Sequence, residues 1–175
     1  MKNIKSARPF IIFTLLSILL YHKTINGPFV LDDNWYIVNN YKIKNLSTLI
    51  TDFSGTRYIG FLTFAINYYF NGLNTYGYHI VNILIHILNT SLVYLLIKIT
   101  LDTLGERPRT KGIGLKPLSF SLLPFACSTI FLVHPIQTQA VSYITQRFTS
   151  LATLFYLLAL LLYIKARTNP PSSPF

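Results

Sequence analysis

The stretch HIVNILIHILNTSLVYLLIKI, residues 79–99, decides the fold class. It has no acidic residue and a single lysine, Lys98, near its end. It is long enough to cross a bilayer as a helix, which takes roughly 20 residues. His79, Asn82, His86 and Asn89 interrupt it at i, i+3, i+7 and i+10, the spacing of one helical face. Facing lipid, those four groups would be unsatisfied, so the stripe is expected to meet other helices or an aqueous cavity. The plainest expectation is interhelical hydrogen bonding, about 1 kcal/mol or less per contact. Zinc is disfavoured, because the two histidines lie two turns apart with no carboxylate or thiolate beside them.

Three further apolar runs flank this one. PFIIFTLLSILLY (9–21) leads a first candidate span, LSFSLLPFACSTIFLVH (118–134) forms a third with Pro124 as a kink, and SLATLFYLLALLLYI (150–164) forms the fourth. A basic start before a short apolar run also describes a signal peptide. YHKTINGPF (21–29) has no small-x-small cleavage site, however, so the first span is read as retained. Composition agrees: 51% of the 175 residues are apolar and only 11% charged, which places the chain with membrane proteins. The net charge of +10 is scattered between apolar runs. That pattern sets topology and meets lipid headgroups, unlike the one-sided patch of a nucleic-acid binder, so no nucleic-acid partner is expected. Cys127 is the only cysteine, so no internal disulfide framework exists.

The chain is therefore expected to be an all-α polytopic membrane protein with about four transmembrane helices and short interfacial helices in the first outer loop. Lys2, Lys5 and Arg8 precede the first span, Arg107, Arg109, Lys111 and Lys116 separate the second from the third, and Lys165 and Arg167 follow the fourth. The positive-inside rule puts these clusters in the cytoplasm. The expected order is a basic N-terminus (1–8), first span (9–25), outer loop (26–78), second span (79–99), basic loop (100–117), third span (118–134), outer loop (135–148), fourth span (149–165) and a disordered tail (166–175). In the long outer loop, LSTLITDF (46–53) reads as a short helix. RYIGFLTFAINYYFNGL (57–73) reads as an interfacial helix with Tyr58, Tyr68, Tyr69 and Phe70 at headgroup depth. A fifth membrane insertion is the alternative for that second segment, but the downstream basic clusters oppose the flip it requires.

That outer loop also holds two of the chain's five acidic residues, Asp32 and Asp33, inside FVLDDNWYIVNN (29–40). Topology gathers them at the outer face with Arg57, His79, His134 and Arg147. Arginines can hold a phosphate bidentately as it departs, and an aspartate can take a proton from an incoming hydroxyl. That set suits a reaction on a phosphate-bearing lipid substrate. Adjacent residues point in different directions, so only one aspartate is expected to act as base while the other orients a neighbour, caps a helix or helps bind a cation. The plain alternatives are a helix-capping aspartate and, for Arg147, an ordinary flank of the fourth span.

GPFVLDDNWYIVNN, LTFAINYYFNGLNTYGYHIVNILIHILNT and HPIQTQAVSYITQRFTSLATLFYLLALLLY resemble, in order and spacing, the N-terminal membrane region of tetratricopeptide-repeat-containing O-mannosyltransferase-like proteins. The resemblance covers roughly residues 25–165. These are polytopic glycosyltransferases of the GT-C superfamily. The resemblance implies transfer of a sugar, mannose above all, from a polyprenyl-phosphate donor to a protein Ser/Thr hydroxyl on the non-cytoplasmic side. It implies Asp32 as general base and Asp33 as supporting acid, with Arg57, His79, His134 and Arg147 as candidates for the substrate neighbourhood. A divalent cation is required in some branches of the superfamily and not in others, so the metal stays open, and the lipid-linked sugar enters as substrate.

Two departures from the family pattern stand out: Arg57-Tyr58-Ile59 where many members read Arg-Pro-Leu, and Gln139 where others have Glu. Family members continue with further spans and a repeat domain, so the resemblance implies an incomplete module with little activity alone. The alternative is a non-catalytic membrane scaffold or assembly subunit; a transporter using the His/Asn stripe as a pore lining ranks below it. Expected partners are membrane lipid, the polyprenyl-phosphate sugar, an acceptor protein and the later spans and repeat domain. The membrane is a bacterial plasma membrane or the endoplasmic reticulum.

Overall fold

A computed structural model describes residues 2–51, 55–105 and 117–168. Most of the expected tail (169–175) and of the basic loop lies outside these residues, as does the end of the 46–53 segment, whereas residues 166–168, expected in the disordered tail, continue the last helix. Seven α-helices order the described chain: α1 (Lys2–Tyr21), α2 (Leu46–Thr51), α3 (Tyr58–Asn71), α4 (Thr75–Gly105), α5 (Pro117–Val133), α6 (Gln137–Ser142) and α7 (Arg147–Thr168). Short tighter or wider helical turns cover His22–Asn26, Asn34–Val38, Tyr41–Lys44 and Ile144–Gln146, and no strand occurs among the described residues. The chain thus adopts the expected all-α class. Ala7–Asn26, Thr75–Thr103 and Ile144–Thr168 are long and apolar enough to cross a membrane, while Leu122–Val133 is a shorter apolar helix.

The helices overrun the apolar stretches that announce them. α4 begins at Thr75, ahead of His79, because Asn74 caps it: its side-chain oxygen accepts the Tyr76 N–H at 3.0 Å. α3 stops at Gly72, whose φ of +56° lets its N–H return to the Tyr68 carbonyl at 2.8 Å. α5 opens on Pro117, whose missing N–H costs nothing in a first turn. Pro124 lies inside α5 without ending it, and Ser128 Oγ donates to the Pro124 carbonyl at 2.7 Å.

α4 is the central rod, packing most extensively on α7, α5 and α1. Its start meets the end of α1 through His79 and Gly27, and the loop before α7 through Asn82 and Ile144. One turn further in, His86 reaches Leu132 near the end of α5. The α1–α2, α3–α4 and α5–α7 connections therefore gather at one end of the bundle. Between the rods, Phe13 stacks on Phe125 at 5.6 Å and meets the Tyr94 edge at 5.9 Å, joining α1, α4 and α5. Ile11, Leu15, Ile18 and Leu19 of α1, and Phe155, Tyr156, Leu162 and Tyr163 of α7, face outward, as lipid contact requires.

A second core sits at the loop end. Ile37, Ile43, Phe64, Ala65, Tyr78 and Ile144 are buried together, with Tyr36, Phe61 and Phe148 packed around them. α3 forms its roof, burying Gly60, Phe64, Ala65 and Asn67 while Tyr69 and Phe70 stay exposed. The amphiphilic helix expected over 57–73 is thus a lid on a small aromatic core. At Gly60 a Cβ would collide with the Phe148 ring, itself wedged against Tyr36, Phe61 and Phe64 at 5.7, 5.1 and 5.3 Å. Gly60→Ala is expected to cost about 1–3 kcal/mol through overpacking, read as an earlier thermal unfolding transition in detergent micelles.

Candidate active site

The site is assembled from the α4 stripe outward. All four polar residues of the stripe are buried and each makes a hydrogen bond to neighbouring backbone or side chains, with Nδ1 of His79 and Oδ1 of Asn89 left without a partner among the described residues. Nε2 of His79 donates to the Gly27 carbonyl at 3.2 Å and Nε2 of His86 to the Leu132 carbonyl at 3.2 Å, while Asn89 donates to the Ser150 carbonyl at 3.0 Å. Asn82 does most: its amide reaches the carbonyls of Val141 (3.3 Å) and Ile144 (3.2 Å), and its oxygen accepts from Arg147 Nε at 2.8 Å.

Arg147 is fully buried. Beyond Asn82, its guanidinium donates to Asn67 Oδ1 at 2.6 Å and to the Tyr78 carbonyl at 2.8 Å, and it lies 4.5 Å from the Phe64 ring centroid. All these partners are neutral oxygens or a π-face. The side chain ties α3, α4 and α7 together and does not line the cavity described below.

Fixing residues 141–147 places Thr145, and Thr145 places the acidic turn. Asp33 is buried. Its Oδ1 accepts the Thr145 N–H at 2.8 Å and the Thr145 hydroxyl, and its Oδ2 accepts the Val30 N–H at 3.0 Å. Its hydrogen bonds join the α1–α2 connection to the segment before α7. Asp32 is exposed, and its backbone N–H donates to the Tyr143 hydroxyl at 3.0 Å. Burial above all, and the Asp32 and Asp33 carboxylates as well, push the Tyr143 hydroxyl above its ordinary range against the lowering effect of the Asp32 N–H.

Asp32 lines a cavity of about 530 Å³ together with Tyr36, Arg57, Thr145, Gln146, Phe148, Thr149 and Ala152. That volume falls within the range of small-ligand sites. Arg57 starts α3 from a left-handed conformation, φ +64°, with its guanidinium 5.3 Å from the Phe148 ring centroid. A carboxylate and a guanidinium thus border one cavity, which three hydroxyl-bearing residues and one amide also line.

Of the residues singled out in the sequence, the structure brings Asp32 and Arg57 together, with Asp33 directly behind them. His79 and Arg147 are buried in the frame. His134 is exposed, with Nδ1 accepting the Ile136 N–H at 3.3 Å, and does not line the cavity. Tyr36, Thr145, Phe148, Thr149 and Ala152 had no signal in the sequence, since nothing in their spacing pairs them with Asp32. The described residues do not by themselves fit a divalent cation. Among them Asp32 is the one carboxylate on the cavity, Asp33 is occupied by three donors, and no three metal-ligating side chains gather.

The two aspartates are expected to separate on substitution. Asp33→Asn turns an amide toward donors and should cost about 1–3 kcal/mol, lowering the thermal transition, whereas Asp32→Asn should leave it unchanged. Arg147→Ala strands Asn67, Asn82 and the Tyr78 carbonyl and should cost about 3 kcal/mol or more. Arg147→Lys should rescue only part of this, since an ammonium cannot span three directions from one plane.

No family model matches the chain, and no solved structure does. Curated proteins do. Protein O-mannosyl-transferase F38B6.6 of Caenorhabditis elegans is 33% identical over 175 aligned residues, covering 91% of this chain and 23% of the relative. Protein O-mannosyl-transferase TMTC1 of Homo sapiens is 34% identical, covering 84% of this chain and 17% of the relative. Protein O-mannosyl-transferase TMTC4 of Homo sapiens is 32% identical, with 86% and 22% covered. The chain spans about a fifth of the length of the curated relatives it matches. Over most of its own length, this apolar, all-helical chain is a homologue of the proteins named protein O-mannosyl-transferases.

Proposed function

We propose that the chain forms the acidic part of a multi-pass membrane glycosyltransferase. The reaction moves a sugar, mannose in the first instance, from a polyprenyl-phosphate donor to a Ser or Thr hydroxyl of a protein. The observation that carries this reading is the cavity that Asp32 and Arg57 share at the loop end of the bundle. The names of the relatives supply the reaction class.

In this mechanism the Asp32 carboxylate removes the hydroxyl proton as the acceptor oxygen attacks the anomeric carbon with inversion. The bond from that carbon to the phosphate oxygen breaks, and the electron pair leaves with the lipid phosphate. Arg57 faces the departing phosphate and offsets its charge. Asp33, bound to Thr145 and Val30, holds the turn on which Asp32 sits. Tyr143 holds the Asp32 backbone from the other side. With the basic clusters of the sequence in the cytoplasm, the cavity opens on the non-cytoplasmic face.

The test is transfer from polyprenyl-phosphate mannose to a Ser/Thr peptide in membranes carrying the chain. Asp32→Asn is expected to reduce kcat about 10²–10⁴-fold, and Arg57→Gln to weaken donor use more than acceptor use. Transfer that survives Asp32→Asn removes Asp32 as the base. Orientation is tested separately in a Cys127→Ser background with Asn39→Cys at the exposed Asn39. An impermeant thiol reagent on the non-cytoplasmic side should label it, and labelling from the cytoplasm reverses the topology. A second reading, a non-catalytic assembly subunit, is favoured by the internal use of Arg147, Asn82 and Asp33. It predicts stable membrane insertion with no transfer from wild type or variant.

A further inference from the structure

The turn bearing Asp32 and the short helical turn Tyr41–Lys44 that follows it present large apolar side chains outward. Leu31, Trp35 and Tyr41 are each 76% exposed, among the most exposed large apolar residues of the described chain. Asp32 lies between the first two. Leu31 also has a φ of +46°, a left-handed conformation that branched aliphatic residues avoid. A strained leucine pointing away from the protein is unfavourable on both counts unless something outside the chain receives it.

The position of this turn says what receives it. Leu31 follows Asn26, the end of the candidate span Ala7–Asn26, by five residues, a reach of at most about 18 Å. On its other side Asp33 is bonded to Thr145, the second residue of the candidate span Ile144–Thr168. Tyr143, just before that span, holds the Asp32 N–H. The turn is thus pinned between the mouths of two apolar helices and cannot lift far from the bilayer boundary. Trp and Tyr favour that boundary because an apolar ring can enter the acyl region while the polar atom stays at headgroup level. The exposed Lys44 lies close in sequence, where an ammonium meets lipid phosphate.

We propose that the turn around Asp32 is a lipid anchor: Leu31, Trp35 and Tyr41 insert into the headgroup and upper acyl layer of the bilayer. The anchor fixes the mouth of the Asp32–Arg57 cavity at headgroup depth. It does not depend on the transferase reading, since it needs only the bilayer and these side chains.

Trp35 is the only tryptophan in the chain, so its fluorescence reports this turn alone. In lipid nanodiscs of phosphatidylcholine, open to buffer on both faces, the full chain should show blue-shifted emission. Lipids brominated near the glycerol end of the acyl chain should quench it more than lipids brominated near the methyl end, and iodide should quench it little. Leu31→Asn relieves the backbone strain, since Asn tolerates the left-handed region, but removes the apolar contact. It should shift Trp35 emission to the red and raise iodide quenching. Red-shifted wild-type emission quenched by iodide and not by brominated lipid would overturn the anchor. Emission quenched by neither would place Trp35 against protein, a second copy included, and would overturn it equally. A Leu31→Asn variant whose emission matches wild type would remove Leu31 from the anchor.

Discussion

The loop end of this bundle depends on one buried cation held by neutral oxygens. Arg147 would be costly to bury alone, and Asn67, Asn82 and the Tyr78 carbonyl receive its donors from three directions. Those partners come from α3 and α4, so satisfying the guanidinium sets how the roof helix, the central rod and α7 meet. Phe64 closes the fourth side. The planar fork of five donors suits such a junction better than a flexible ammonium would.

The acidic turn is positioned through that junction. Asn82 fixes the carbonyls of Val141 and Ile144 with one end and Arg147 with the other. The segment between them then presents the Thr145 N–H and hydroxyl to Asp33. Two adjacent carboxylates thereby acquire different chemistry. Asp33 accepts three hydrogen bonds and serves as a strut, while the exposed Asp32 lines a cavity with a guanidinium. A side chain on a turn held by its own neighbour is preorganised, as the proposed role of Asp32 as base requires.

The membrane environment explains why so much polarity is hidden. Between apolar helices an unsatisfied amide or imidazole has no water to turn to. Most of the α4 stripe therefore bonds to backbone carbonyls of loops and of the end of α5, where regular helical bonding leaves carbonyls to spare, while Asn89 shares the Ser150 carbonyl in the first turn of α7. The same groups that look like a candidate binding stripe in one dimension are, in three, the attachments that hold the loops in place.

Much of the fold was legible in the sequence for a physical reason. A bilayer demands about 20 apolar residues per helix; the run 79–99 meets that demand and the shorter run 150–164 approaches it without reference to any other part of the chain. The i, i+3, i+7, i+10 spacing likewise sufficed to say that His79, Asn82, His86 and Asn89 share a face and need partners. The divergence of Asp32 and Asp33 follows from adjacency alone. Which aspartate is buried, that Arg147 is structural in its contacts while Arg57 borders the cavity, and that Thr145, Phe148 and Thr149 complete it were decided only by tertiary structure. Those outcomes rest on hydrogen bonds between residues more than 60 positions apart, such as Arg147 to Asn82 and Thr145 to Asp33. No local pattern encodes which of two chemically equal side chains such a bond will claim.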